Sequence, residues 1–196
     1  MYLKDIIESE NAIFLDNNIC LIENFLPEEK FIFLLEKSIK SVDQDFIKNK
    51  NNYSLNIPLR INNAEVTQYL QNSIYKLLPG NYTIRGFENI NRTIPGGSMF
   101  LHNDDERELG IEYGFTYYIN DDFLGGELFY PNKRVSYKPI KNSMVIHIGT
   151  SEYSHSVLEV FNQNRFTVTA FGYTNENQEI YAKRREKHFK RAMETM

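Results

Sequence analysis

Two short stretches of the sequence carry side chains whose types and spacing suit a metal centre. His102 and Asp104 form a His-x-Asp step, and a separate His155 is followed ten residues later by Arg165. Two imidazoles and one carboxylate on one face of an octahedron hold Fe(II) and leave positions open for substrate and dioxygen. The rigid fork of an arginine suits a carboxylate. We therefore predict a ferrous site formed by His102, Asp104 and His155. Arg165 would bind one carboxylate of a dicarboxylate cosubstrate whose other end chelates the metal.

Strand geometry explains how neighbouring residues could supply two of these ligands. If residues 99–104 form a strand, His102 and Asp104 project from the same face, because side chains repeat every second residue. Asp105 has the opposite parity, so Asp104 is the predicted ligand of the two adjacent acids. His155 must then come from a distant strand.

Residues 81–173 have the sequence pattern of an antiparallel β fold. Short runs rich in Val, Ile, Thr, Tyr and Phe are separated by turn residues, such as the Pro-Gly-Gly at 95–97. This spacing indicates an antiparallel barrel or jelly roll rather than parallel βαβ units. In a last strand predicted over residues 165–171, Arg165 and Thr167 share parity and both can face a pocket.

Residues 1–80 are predicted to be a helical region that supports the sheet. A short strand over residues 19–25 precedes a helix that begins with Pro27 and two glutamates and has apolar side chains at helical spacing. A second helix is capped by Asn62 or Asn63 and ends before Pro79. Two helices thus precede the residues that carry chemistry.

Two polar segments lie outside this core. Residues 41–60 show little hydrophobic period and are predicted to be a mobile loop that covers the substrate. Residues 174–196 carry six basic and four acidic residues, a net charge of +2, and are predicted to be a basic C-terminal helix. We interpret that helix as solvated, with contact to RNA or an acidic protein, or a dimer interface, as alternatives.

Composition limits the class of protein. A chain of 196 residues with 41% hydrophobic residues can build one domain with a sizeable core. The net charge of -4 argues against binding nucleic acid. A single cysteine, Cys20, is expected to pack as a small apolar residue. We see no signal peptide or membrane span in the sequence, and we expect a cytoplasmic protein.

The chain resembles the prolyl 4-hydroxylase branch of the iron(II)- and 2-oxoglutarate-dependent oxygenases. The resemblance runs from about residue 19 to residue 173. The stretches that carry it are Pro95-Gly96, His102-x-Asp104, residues 115–121, residues 125–131, and His155-Ser156-Val157 with Arg165. The fold that it implies is a double-stranded β-helix, a jelly roll flanked by helices. We therefore expect a mainly β (α+β) fold in which the N-terminal helices buttress the jelly roll.

The resemblance also implies a site and a reaction. Fe(II) and 2-oxoglutarate would be required, with ascorbate as a further candidate, and an unactivated C–H bond would be hydroxylated with succinate and CO2 as coproducts. The implied iron ligands are His102, Asp104 and His155, the implied partner of the distal carboxylate of 2-oxoglutarate is Arg165, and the implied hydrogen-bonding groups nearby are Tyr118 and Thr167.

One departure from the family pattern concerns the cosubstrate pocket. Many relatives have a tyrosine three residues before the glycine that corresponds to Gly96, and this chain has Thr93 there. The pocket is therefore expected to be lined differently, which weakens the assignment of proline as the substrate.

Three functions compete at this point. The leading hypothesis is a hydroxylase that acts on a peptidyl residue, most plausibly proline, so the expected partners are a peptide or protein substrate and a small cosubstrate. The second is the same chemistry on a free amino acid, another side chain or a nucleotide. The third is a catalytically silent jelly roll that serves as a binding or assembly module. The sequence leaves the oligomeric state open.

One histidine outside the triad also lies in the predicted β region. His147 lies within an apolar strand and is predicted to be structural and hydrogen-bonded rather than a ligand.

The imidazole ligands also predict an effect of pH. Because an imidazole must be neutral to ligate, metal binding is expected to weaken below about pH 6.

Overall fold

The computed structural model describes residues 2–41, 57–105 and 110–174, with residues 57 and 58 described by their backbone alone. Within these residues, two α-helices, α1 (Glu28–Ile39) and α2 (Ala64–Leu77), accompany fourteen strands. The strands are β1 (Ala12–Asp16), β2 (Ile19–Ile22), β3 (Ile57–Arg60), β4 (Tyr82–Arg85), β5 (Asn89–Thr93), β6 (Met99–His102), β7 (Ile111–Tyr118), β8 (Leu124–Gly125), β9 (Leu128–Tyr130), β10 (Val135–Tyr137), β11 (Ser143–Ile148), β12 (His155–Val157), β13 (Val160–Phe161) and β14 (Arg165–Thr174).

The strands form two antiparallel sheets and a short ribbon. The larger sheet has the order β1-β2-β11-β7-β14-β5-β3, and β4 also pairs with β14. The smaller sheet has the order β10-β9-β12-β6, and β13 pairs with β8. Apolar residues from both sheets form one shared cluster, so the sheets face each other as in a jelly roll. The predicted mainly β fold with flanking helices is confirmed.

Strand alternation divides the core into two clusters. On β11, Met144 and Ile146 belong to an outer cluster that also holds Leu70 of α2, so the helices pack on the outer face of the larger sheet. Val145 belongs instead to an interior cluster between the sheets. His147 has the parity of Val145 and therefore faces the interior. The interior cluster is formed by Ile19, Leu21, Tyr118, Leu128, Tyr130, Tyr137, Val145, Tyr153 and Val157.

The two helices begin where the sequence predicts. Pro27 precedes α1, and the side chain of Asn63 accepts hydrogen bonds from the backbone N–H groups of Glu65 and Val66 at the start of α2. Asn63 rather than Asn62 is therefore the cap, and it satisfies two donors that a helix leaves unpaired at its N-terminus.

Part of the predicted N-terminal support region belongs to the larger sheet. Strands β1 and β2 form one edge of that sheet, and β2 ends at Ile22 rather than at residue 25. The predicted loop at 41–60 ends in strand β3, which pairs with β5. This strand forms through backbone pairing with a neighbouring strand. The sequence does not predict it, because Pro58 and the polar residues before it interrupt any strand pattern. Residues 42–56 of the predicted loop lie outside the described residues.

Two predicted boundaries near the site and at the C-terminus also differ. β6 ends at His102, so Asp104 lies in the turn that follows the strand. Thr174 is the last residue of β14 rather than the first of a helix. Residues 175–196, where the basic helix is predicted, lie outside the described residues. Neither helix that the structure describes is long and apolar enough to cross a membrane.

Candidate metal centre

His102, Asp104 and His155 lie together at one end of the interior. His155 of β12 pairs directly with His102 of β6, which brings two histidines from distant parts of the sequence side by side. The Oδ1 atom of Asp104 lies 3.8 Å from the Nε2 atom of each histidine. One ligand atom from each residue lies within 4.8 Å of the others. The predicted triad therefore faces a common point.

Hydrogen bonds orient both imidazoles for ligation. The Nδ1 atom of His102 donates to the carbonyl of Phe100 at 2.9 Å, and that of His155 donates to the carbonyl of Tyr153 at 3.1 Å. Since a carbonyl only accepts, Nδ1 carries the hydrogen and Nε2 keeps its lone pair. Both lone pairs are then available to a metal, which is how ligating histidines are usually arranged.

The carboxylate of Asp104 is held on its other side by a histidine outside the triad. The Nε2 atom of His147 lies 2.7 Å from Oδ2 of Asp104, and the Nδ1 atom of His147 lies 2.9 Å from the hydroxyl of Tyr130. Burial by itself raises the pKa of Asp104, but the electrostatic attraction of His147, the hydrogen bond from it, and the smaller attraction of His155 and His102 outweigh burial and hold that pKa below its ordinary value. Asp104 is therefore ionised, as a ligand must be.

His147 is as buried and hydrogen-bonded as the sequence predicts, but its partner was missed. A polar residue within an apolar strand signals that a partner exists. That signal does not identify the partner, because β11 and the turn that holds Asp104 are distant in the sequence.

The neighbouring acid has a different role. The Oδ1 atom of Asp105 accepts hydrogen bonds from the backbone N–H groups of Gly110 and Ile111, at 2.8 and 3.0 Å. Its carboxylate thus anchors the entry to β7, whereas that of Asp104 faces the histidines.

Burial changes the expected pH behaviour of His155. Desolvation, with help from the nearby His147, lowers the pKa of His155 from 6.5 to about 3. The threshold near pH 6 that an ordinary imidazole would impose on metal binding therefore moves to lower pH for this ligand.

This pKa predicts a pH-dependent stability for the metal-free protein. The folded ring stays neutral where an unfolded ring takes up a proton, so stability is full above pH 6.5 and is lost as the pH falls toward about 3. Urea unfolding between pH 6 and about pH 4.5 should show a contribution of roughly 1.4 kcal/mol per pH unit from this proton. His155→Gln should lack that contribution. Equal slopes in both proteins would contradict it.

Arg165 lies in the same pocket without a counter-ion among the described residues. Its side chain is 5% exposed, its Nε atom has no hydrogen-bond partner in the part of the chain that the structure describes, and its Nη2 atom lies 3.4 Å from the hydroxyl of Tyr118. The guanidinium carbon lies 5.0 Å from the centre of the Tyr118 ring, a cation–π contact. A buried cation without an opposite charge is costly, so this fork is suited to an incoming carboxylate.

The pocket connects the guanidinium with the triad. It encloses about 710 Å³ of empty space, counting its open mouth. Thr93 of β5 is the direct neighbour of Arg165 on β14, and Thr93, Thr167 and Thr169 all line the cavity. The donor set and the buried guanidinium fit a divalent metal ion such as Fe(II) chelated by a small dicarboxylate. All six predicted site residues lie in this pocket or contact one that does.

Known structures share this fold. A prolyl hydroxylase from Trichoplax adhaerens, solved with a hypoxia inducible factor peptide fragment, superposes with a TM-score of 0.69, with 20% identity over 83% of this chain and 86% of that one. The viral collagen prolyl hydroxylase of Paramecium bursaria Chlorella virus-1, solved with 2-oxoglutarate, gives a TM-score of 0.63, with 17% identity over 80% of this chain and 96% of that one.

A bacterial structure gives the same result. A prolyl-4-hydroxylase from Pseudomonas putida superposes with a TM-score of 0.64, with 15% identity over 81% of this chain and 93% of that one. No family model and no curated protein matches the sequence. At these identities, the structural likeness demonstrates a shared fold.

Proposed function

We propose that this chain is an Fe(II)- and 2-oxoglutarate-dependent dioxygenase that hydroxylates an unactivated C–H bond. The observation that carries the proposal is the convergence of His102, Asp104 and His155 in a pocket that also holds the buried guanidinium of Arg165. A jelly roll that served only as a binding module would not need both features. The fold shared with solved 2-oxoglutarate oxygenases supports the same chemistry.

Some residues of the pocket would bind the metal, and others would bind the cosubstrate. His102 and His155 would each ligate through Nε2, and Asp104 through Oδ1, which leaves half of an octahedron free. Arg165 would bind the distal carboxylate of 2-oxoglutarate, with Tyr118 and Thr167 beside it. When bound, iron with 2-oxoglutarate and dioxygen supplies the oxidising power and yields succinate and CO2. The protein would hold and orient the cosubstrate.

A peptidyl proline is the substrate class that we propose. The Trichoplax neighbour was solved with a peptide, and three neighbours are named as prolyl hydroxylases. In this chain Phe100 and Leu101, which directly precede the ligand His102, are 62% and 54% exposed. Apolar side chains exposed beside a site favour a macromolecular substrate over a small polar one. Thr93 gives the pocket a shorter wall than the tyrosine of many relatives.

The test measures the reaction and its product separately. The purified chain is incubated with Fe(II), 2-oxoglutarate, ascorbate and proline-containing peptides, and succinate is quantified. We expect succinate that depends on iron, and a gain of one oxygen atom on the peptide by mass spectrometry. Succinate formed without peptide oxidation would favour a free amino acid, another side chain or a nucleotide as the substrate. If no succinate forms with proline-containing peptides, other peptides, free amino acids or nucleotides, the binding-module hypothesis replaces the dioxygenase hypothesis.

The remaining proposals concern the whole chain. We propose that residues 1–196 form one oxygenase domain and that it is cytoplasmic. Limited proteolysis followed by mass analysis tests the first proposal, and cell fractionation tests the second.

A further inference from the structure

We infer that His147, supported by Tyr130, is a positioning residue that confines Asp104 to metal ligation through a single oxygen. The inference rests on the proposed metal centre and adds a role for residues outside the predicted triad. Its basis is the geometry of the hydrogen bonds around Asp104.

The two oxygens of Asp104 have different surroundings. Oδ1 lies 3.8 Å from Nε2 of both His102 and His155, too far for hydrogen bonds but suited to a shared metal. Oδ2 lies 2.7 Å from Nε2 of His147. One oxygen therefore faces the metal position, and the other is already bound to the protein.

The direction of each hydrogen bond follows from the partners. A carboxylate only accepts, so Nε2 of His147 carries the hydrogen that Oδ2 receives. Nδ1 of the same ring then accepts from the hydroxyl of Tyr130, at 2.9 Å. Tyr130 and His147 are both buried, with exposures of 0% and 2%. Tyr130 thus keeps the donor nitrogen of His147 directed at Asp104.

Gly114 makes room for this contact. It is the direct neighbour of His147 across the β7–β11 pair. A Cβ atom at position 114 would lie 2.1 Å from Oδ2 of Asp104 and 2.4 Å from Nε2 of His147. Any other residue would therefore disturb this hydrogen bond. The glycine in β7 thus leaves the space that the hydrogen bond between Asp104 and His147 needs.

The consequence concerns the number of open coordination positions. A carboxylate that bound a metal through both oxygens would occupy one position more than a carboxylate that bound through one. With Oδ2 held by His147, the three protein ligands supply one atom each. The positions that a chelating cosubstrate and dioxygen need then remain open.

Co(II) binding to the full-length chain, measured by calorimetry and visible absorption, tests the inference. His147→Phe keeps a ring but removes the donor, and it should weaken Co(II) binding about 10- to 100-fold, the usual effect of losing a partner of a ligand. It should also change the Co(II) spectrum, since Oδ2 becomes free to ligate. His147→Gln places an amide N–H where Nε2 stands and should restore affinity and spectrum in large part.

Tyr130→Phe and a matched control keep the test decisive if His147→Phe folds poorly. Tyr130→Phe should shift affinity in the same direction by a smaller factor. The control is Tyr117→Phe, which also loses one buried hydrogen bond, to Asn142, but in the outer cluster. It should leave Co(II) affinity unchanged.

The outcomes separate this inference from the proposed function. Wild-type binding that His102→Ala abolishes, together with unchanged binding in the His147→Phe and Tyr130→Phe variants, would overturn the positioning role alone. Equal losses in His147→Phe and His147→Gln, without rescue, would also overturn it. A wild-type chain that did not bind Co(II) would overturn both this role and the metal centre.

Discussion

Asp104→Asn is expected to reduce metal affinity by more than the 10- to 100-fold that losing a partner of a ligand usually costs. Asp104 supplies the only negative charge among the three proposed ligands, and its pKa is held low by His147 in spite of burial. The amide keeps the size of the side chain but loses the charge that attracts a cation. Iron-dependent succinate formation should fall with metal occupancy. Calorimetry with Mn(II) and the succinate assay measure the two effects.

The adjacent acid provides the matched control. Asp105→Asn makes the same chemical change one residue away, and its amide oxygen can still accept from the backbone N–H groups of Gly110 and Ile111. We expect its Mn(II) affinity to stay close to that of the wild type. If the two variants lost affinity equally, the assignment of Asp104 as the ligand would be wrong.

Arg165→Leu is expected to weaken 2-oxoglutarate binding by about 30-fold or more, which corresponds to the roughly 2–5 kcal/mol typical of truncating one partner of a buried charge pair. The guanidinium is buried, and no carboxylate among the described residues pairs with it. The distal carboxylate of the cosubstrate would supply the missing charge. Metal affinity measured without 2-oxoglutarate should change little, because Arg165 is not one of the ligands. Titration of the Mn(II)-loaded protein with 2-oxoglutarate provides the measurement.

A second cosubstrate makes this prediction specific. 2-Oxovalerate has the keto acid group of 2-oxoglutarate but ends in a methyl group instead of the distal carboxylate. The wild type should prefer 2-oxoglutarate strongly, and Arg165→Leu should lose most of that preference. Arg165→Lys should fall between them, since it keeps the charge but not the two-pronged fork. An unchanged preference in Arg165→Leu would show that another residue binds the distal carboxylate.

Features that depend on neighbours in the sequence could be predicted. The start of α2 follows from an asparagine that caps the helix and an apolar stripe at helical spacing. The closeness of His102 and Asp104 follows from their separation of two residues, although the turn after β6, rather than a continuous strand, brings Asp104 into place. The shared face of Arg165 and Thr167 follows from strand alternation along β14.

Features that depend on which strands pair could not be predicted from local patterns. β3 forms because β5 offers its backbone groups, not because its own residues favour a strand. The sequence predicts that the side chain of His147 is buried and hydrogen-bonded. The alternation of residues along β11 does not show which face of the strand points to the interior. The role of Gly114 is invisible until β7 lies beside β11.

The sequence by itself determined the chemical groups of the proposed site: two imidazoles, a carboxylate and a guanidinium. It also determined which neighbouring residues share a face, because side chains alternate every second residue along a strand. The tertiary structure alone decided that His155 pairs with His102, and that His147 takes up the second oxygen of Asp104. The physical reason is that a strand exposes identical backbone groups along its length. Which partner they meet, and in which register, is selected by the packing of the whole core.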